Sequence, residues 1–403
     1  MRCSSATATA YPPASDMRVL FYHSDAKWSS GARAMLAAAR GLMIRGHEVA
    51  VACCAGSKLE SLATRDAIDV ALIDAPSNAA SGAWDVRRLM QQRGIDVVIV
   101  ATERDQVVVT SARLFAERAA VLRRVPPFTR LNVQRLGKLA LKLADSGLIS
   151  ATERELNDAS AAGWSLPGAV APLGVDVAQY DAVTPAPRRE IGVPEESLLI
   201  ACAYDPSGRY RIATMFRTLA LLAPRHRNLH AVVFGPDSLD EQLRMHASAL
   251  NVNPILTFLG DVDDPVAVMR AANVGWVVGD SDAGAFGCLD FMALRMPVIA
   301  DRSALMQHYV ADGISGLLLS ATEPAHTASS VAAFLAGEER RAAMGNAGRT
   351  RVQRDFTETA MIDGFERAVC FLLSAFPGWS CVRAIVCATC LNLVRSCRTR
   401  SRR

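Results

Sequence analysis

The chain has 403 residues, 51% of them hydrophobic and 21% charged, so it buries a large core and exceeds what one core usually organises. That composition excludes a disordered chain, and a net charge of +4 with a near-neutral body excludes a broad nucleic-acid surface. Two domains are the default.

Residues 1–16 are rich in Ser, Ala and Thr and lack a hydrophobic signal core, so they read as a disordered N-terminal extension. The first strand runs Val19–His23, a helix follows over Ala34–Arg45, and a second strand spans Val49–Cys53, which together make a βαβ unit. Strands Val70–Ile73 and Val97–Ala101, a helix from about Val109 to Ala119 and a strand Leu148–Ser150 continue the pattern. Residues 17–180 are thus an N-terminal Rossmann-like domain. Residues 181–189 read Asp-Ala-Val-Thr-Pro-Ala-Pro-Arg-Arg, and the prolines make this stretch a linker. The alternation restarts over residues 190–356, from strand Leu198–Ala203 and helix Ile212–Leu222 through strand Val298–Ala300, and forms a second Rossmann-like domain. Residues 357–376 are one more amphipathic helix, expected to pack back on the N-terminal domain, and 377–403 are a basic, Cys-rich tail. The fold class is α/β, with two doubly wound domains expected to face one another across a cleft.

Five of the ten cysteines crowd the C-terminal end and the others are scattered, which points to a reducing cytoplasm rather than a disulfide framework. Cys387-Ala-Thr-Cys390 has the spacing of a redox or zinc pair, but no second pair or histidine lies at ligand distance in sequence, so no metal is expected. No apolar run reaches the roughly 20 residues of a spanning helix.

Ligands of open α/β sheets sit beyond the carboxyl ends of strands, so the segments after each strand carry the candidates. Gly31, at the start of the first helix, serves either a close approach to phosphate or a tight turn. Arg45-Gly-His-Glu-Val49, Leu173-Gly-Val-Asp176, Phe258-Leu-Gly-Asp261 and the run from Ala272 to Asp282 resemble the retaining glycosyltransferases of family four, the glycosyl transferases group 1, which have the GT-B fold. Asp290, eight positions after Asp282, and Pro297-Val-Ile-Ala300 then follow in register.

The resemblance implies a sugar transferred from a nucleotide-diphosphate sugar with retention, as in glycan biosynthesis, to a glycan, lipid or small-molecule acceptor, without cofactor or metal. It gives Asp282 the donor sugar and Asp290 the ribose hydroxyls. The family has glutamates at both places; aspartate is one methylene shorter. The family's cationic pair after the first strand of its second domain falls, in strict register, on Asp205 and Tyr210; a slide of one residue brings Arg209 and Arg211 to the diphosphate as bidentate clamps. The paired glycines and glutamate of the family correspond to Ala304, Leu305 and His308, which removes backbone freedom from that loop. In the first domain Thr102 stands in place of a histidine, and with Asp105 it is assigned to the acceptor or sugar side.

These departures leave a second reading open, a non-catalytic GT-B descendant that binds nucleotide or acts as a scaffold. For residues 377–403, peripheral contact with an anionic inner membrane face competes with a disordered tail.

Overall fold

The computed structural model describes residues 17–374, apart from 75–78, 114–118, 128–145, 165, 237, 280 and 321–323. The expectations for residues 1–16 and 377–403, including the Cys387–Cys390 pair and the membrane contact, lie outside the described residues.

The first sheet is built from β1 (Arg18–His23), β2 (Glu48–Cys54), β3 (Asp69–Ile73), β4 (Val97–Val100), β5 (Ala120–Val125), β6 (Ser146–Ser150) and β7 (Gly168–Val170). Its order is β3-β2-β1-β4-β5-β6-β7 and every pairing is parallel. Helices α1 (Ser30–Ile44), α2 (Lys58–Arg65), α3 (Ala79–Arg93), α4 (Glu103–Arg113) and α5 (Glu153–Ala161) connect the strands. A strand covered on both faces has no polar side to show, which is why β4 reads Val-Val-Ile-Val and is buried throughout. Helix starts are set by side-chain caps: Ser29 accepts from Ala32, Ser57 from Glu60, and Thr152 forms a capping box with Glu155.

The second sheet repeats the plan with β8 (Leu198–Ala203), β9 (Leu229–Phe234), β10 (Leu256–Gly260), β11 (Val274–Val277), β12 (Val298–Asp301) and β13 (Gly316–Leu319). Its order is β10-β9-β8-β11-β12-β13, again all parallel. Between them run α6 (Ile212–Leu222), α7 (Glu241–Ala249), α8 (Pro265–Arg270), α9 (Asp282–Ala293) and α10 (Ala304–Tyr309), followed by α11 (Pro324–Ala336), α12 (Glu338–Asp355) and α13 (Glu358–Ser374). Trp276 and Phe216 are fully enclosed in the core of this sheet.

The chain falls into two compact units that divide at Ala171/Pro172 and again at Met361/Ile362, with Pro126 and Pro127 also grouped with the second. Residues 172–180, read from the sequence with the first domain, therefore cluster with the second. The chain rejoins the first unit at Ile362, where Gly41 of α1 makes room: a Cβ there would come within 2.3 Å of the Ile362 side chain. Arg45 pairs with Asp363 and Glu366 of α13, and His47 lies 3.2 Å from Glu366.

Several elements differ from the sequence reading: α1 begins at Ser30 rather than Ala34, and the reading names no helix at α2 or α5 and no bounds for β5, β7 or β13. Helix α4 begins at Glu103, six residues before the expected Val109, because the Thr102 hydroxyl accepts from the backbone N–H of Asp105 at 3.0 Å and the first turn carries Glu103 and Asp105. These are polar determinants that an apolar periodicity does not register. The sequence reading also lacks helix α3, although Ala83, Val86 and Met90 carry a helical spacing that packs into the core of the first sheet.

Candidate functional site

The strand order of the second sheet reverses between β8 and β11, and that of the first between β1 and β4. Such switch points open a crevice beyond the strand ends. The sequence candidates gather at these two places.

In the second unit, the segment 204–211 after β8 lies on the segment after β11. The contact is close enough that a Cβ on Gly208 would stand 2.7 Å from the Gly279 nitrogen and 2.8 Å from the Val278 carbonyl carbon. Ser281 caps α9, accepting from Ala283 at 3.1 Å, while its own hydroxyl donates to Asp205. Asp205, which strict family register sets on a cationic position, thus braces the helix cap. Asp282 is the first residue of α9, 6% exposed, at the positive end of the helix dipole. Asp290 follows two turns later, about 12 Å along the axis. It is 3% exposed, and the Tyr180 hydroxyl, from the 3-10 turn Val177–Tyr180, donates to its carboxylate. So the two aspartates differ in surroundings as well as position: Asp282 stands at the strand ends, whereas Asp290 is held inside by a phenol.

Arg209 and Arg211 diverge from one loop. The Arg209 guanidinium lies 2.7 Å from Asp240 and 2.8 Å from Gln242, and Arg211 lies 3.5 Å from Asp301 at the end of β12. Both cations are matched by carboxylates. Asp240 and Asp301 escaped the sequence reading, although an aspartate directly before a helix and another closing a strand are signals that could have found them. Tyr210, between the arginines, is 90% exposed. Ala304, Leu305 and His308 lie in α10, capped by Ser303, and the His308 ring meets Tyr309 and Phe356 edge-on.

In the first unit, Gly31 is helical. It lies within the first turn of α1, after the Ser29 cap, and a Cβ there would make only ordinary contacts with Ser29 and Ala101 at 3.6 and 3.7 Å. No tight turn and no close protein neighbour requires glycine at this position. Thr102 is engaged in starting α4. Asp105 is fully buried: one carboxylate oxygen accepts from the Ser24 hydroxyl at 2.5 Å, and the His23 ring nitrogen stands 3.9 Å from the other. Burial pushes the Asp105 carboxyl above its ordinary range, against the pull of the Ser24 and Thr102 hydrogen bonds. Asp105 therefore ties the end of β1 to α4 and does not present its carboxylate to an acceptor. Ser24 and His23 carried no motif in sequence.

Among the described residues no group of three or more His, Cys, Asp or Glu side chains could hold a metal ion, and no helix is long and apolar enough to cross a membrane.

Residues 185–351, which hold every site residue of the second unit from Asp205 to Asp301, match the family of glycosyl transferases group 1. This segment is a group 1 domain. Its curated relatives include the D-inositol 3-phosphate glycosyltransferases of Corynebacterium efficiens, 30% identical over 184 residues, and of Corynebacterium glutamicum, 30% identical over 185 residues. The chain spans less than half the length of these relatives, 43% and 44%, and the matches cover 43% of this chain. Among solved structures, a glycosyltransferase of Rickettsia africae has a TM-score of 0.72 at 14% identity, covering 90% of this chain and all of that one. Anabaena HepE, solved with UDP and glucose, has a TM-score of 0.73 at 16% identity, covering 88% of this chain and 99% of that one. The fold is therefore GT-B, and the group 1 domain is its second Rossmann-like unit.

Proposed function

We propose that the protein is a retaining glycosyltransferase that moves a sugar from a nucleoside-diphosphate sugar to a hydroxyl-bearing acceptor. The observation that carries this reading is the placement of Asp282 within the group 1 domain: it opens α9 at the switch point between β8 and β11, where an anionic donor is expected to lie. There its carboxylate accepts hydrogen bonds from sugar hydroxyls. The N–H groups at the start of α9, with Arg209 and Arg211 once they exchange Asp240 and Asp301 for phosphate oxygens, stabilise the charge that builds on the leaving diphosphate. Asp290 meets the ribose in this scheme only by exchanging the Tyr180 phenol for a ribose hydroxyl. The acceptor belongs to the first unit, near the ends of β1 and β4, with Thr102 and Asp105 shaping that region from beneath. Transfer proceeds without a bound metal or cofactor. The cysteine usage and the basic tail support a cytoplasmic protein that touches an anionic membrane face.

Screening donor hydrolysis and transfer across a panel of nucleotide sugars tests this reading. At least one donor is turned over, and Asp282→Ala lowers kcat on the order of 100-fold, because a displaced sugar loses its alignment. Absence of turnover with every donor, together with unchanged nucleotide binding in Asp282→Ala, would leave the non-catalytic descendant in its place.

A further inference from the structure

Beside the switch point the second unit carries a cavity of about 370 Å³, lined by Ser238, Leu239, Asp240, Gly260 and Asp261 at the carboxyl ends of β9 and β10. It is at the small end of ligand sites, suited to one flat heterocycle and not to a whole nucleotide sugar. Asp240 joins it to the anion site, since Arg209 of the β8 loop is bound to that carboxylate at 2.7 Å. A ligand whose phosphates lie at the start of α9 therefore extends its other end toward this cavity.

The walls specify the chemistry of that end. Before the donor binds, one oxygen of Asp240 accepts from the Gln242 N–H at 2.7 Å and the other from Arg209, and the Gln242 N–H keeps it at the start of α7 when Arg209 turns to phosphate. Asp261 is exposed and takes no hydrogen bond from the described residues. Ser238 is fully buried, yet its hydroxyl has no hydrogen-bond partner. A buried hydroxyl without a partner is costly unless a ligand completes it. Leu239 is 48% exposed and supplies an apolar face, and Gly260 keeps the slot thin, as a Cβ there would stand 2.9 Å from the Leu239 side chain. The exposed Asp261 carboxylate favours a group rich in N–H donors.

We infer that this cavity selects guanine, so that the donor is a guanosine-diphosphate sugar, with Asp261 and Ser238 as the specificity-determining residues. This rests on the proposed use of a nucleotide-sugar donor. Guanine presents two adjacent donors, N1–H and the N2 amine, that a carboxylate accepts bidentately, beside an O6 that receives the serine hydroxyl. Uracil places its one N–H between two carbonyl oxygens that the carboxylate repels. Adenine and cytosine set a single amine beside a ring acceptor. Leu239 packs on the flat face of the base.

Calorimetric titration of the full chain with GDP, UDP, CDP and ADP decides the matter. GDP binds at least about tenfold tighter than the others, the discrimination of a bidentate base contact. Asp261→Asn, at an exposed position that leaves folding intact, removes that preference while UDP affinity stays within about twofold. Ser238→Ala weakens GDP by a smaller factor. Equal or tighter binding of UDP, or an Asp261→Asn protein that retains its GDP preference, overturns the assignment of the base and leaves donor use standing. No binding of any of the four by the folded wild-type chain overturns donor use itself.

Discussion

At the scale of single residues, the second unit repeatedly pairs a group expected to face substrate with a neighbour that already engages it. Asp290 with Tyr180 is the clearest case. A buried carboxylate loses much when one partner is removed, because the group stays desolvated while the bond is gone. Tyr180→Phe is therefore expected to destabilise the protein by about 1–3 kcal/mol, read as a lowered urea midpoint with unchanged slope. A midpoint equal to wild type would show that the phenol is not what satisfies Asp290. The arginines behave alike: Arg209 is held by Asp240 and Arg211 by Asp301.

Among the secondary-structure elements, the return of α13 to the first unit depends on charge as well as packing. Glu366 is held below its ordinary value of 4.5 chiefly by the hydrogen bond with His47 and then by Arg45, against the opposing effect of burial. A carboxylate depressed in the folded state stabilises it above that ordinary value, and the contribution is lost as pH falls through the lower, folded value. Acidification below about pH 4.5 is thus expected to loosen α13 from α1, with a loss on the order of 1 kcal/mol for so partly exposed a cluster. Glu366→Gln is already weakened at pH 7 and shows less further loss on acidification, which hydrogen exchange of the α13 amides would report. Identical acid profiles for the two proteins would assign the docking to the close packing of Ile362 on Gly41 alone.

The whole molecule has two sheets with separate cores, so a single all-or-none transition is not expected. Calorimetry should resolve more than one unfolding event, and a nucleoside diphosphate at 100 times its Kd should stabilise the event belonging to the second unit by about 2.7 kcal/mol. If both events rise together, the units unfold as one. The sequence by itself determined the strand-and-helix alternation, the two Rossmann-like sheets and the region of the group 1 match, because strands buried on both faces must be continuous apolar runs and the turns between them are local. Asp282 and Asp290 were found through the resemblance to the group 1 family, whose spaced acidic pair is a local feature of the sequence. Only the tertiary structure decided what each side chain meets. Tyr180 reaches Asp290 across 110 positions, Arg211 reaches Asp301 across 90, and the cavity lined by Ser238 and Asp261 joins the ends of two strands. Contacts of that kind depend on which strands the sheet makes neighbours, and a linear pattern of apolar and polar residues carries no record of it.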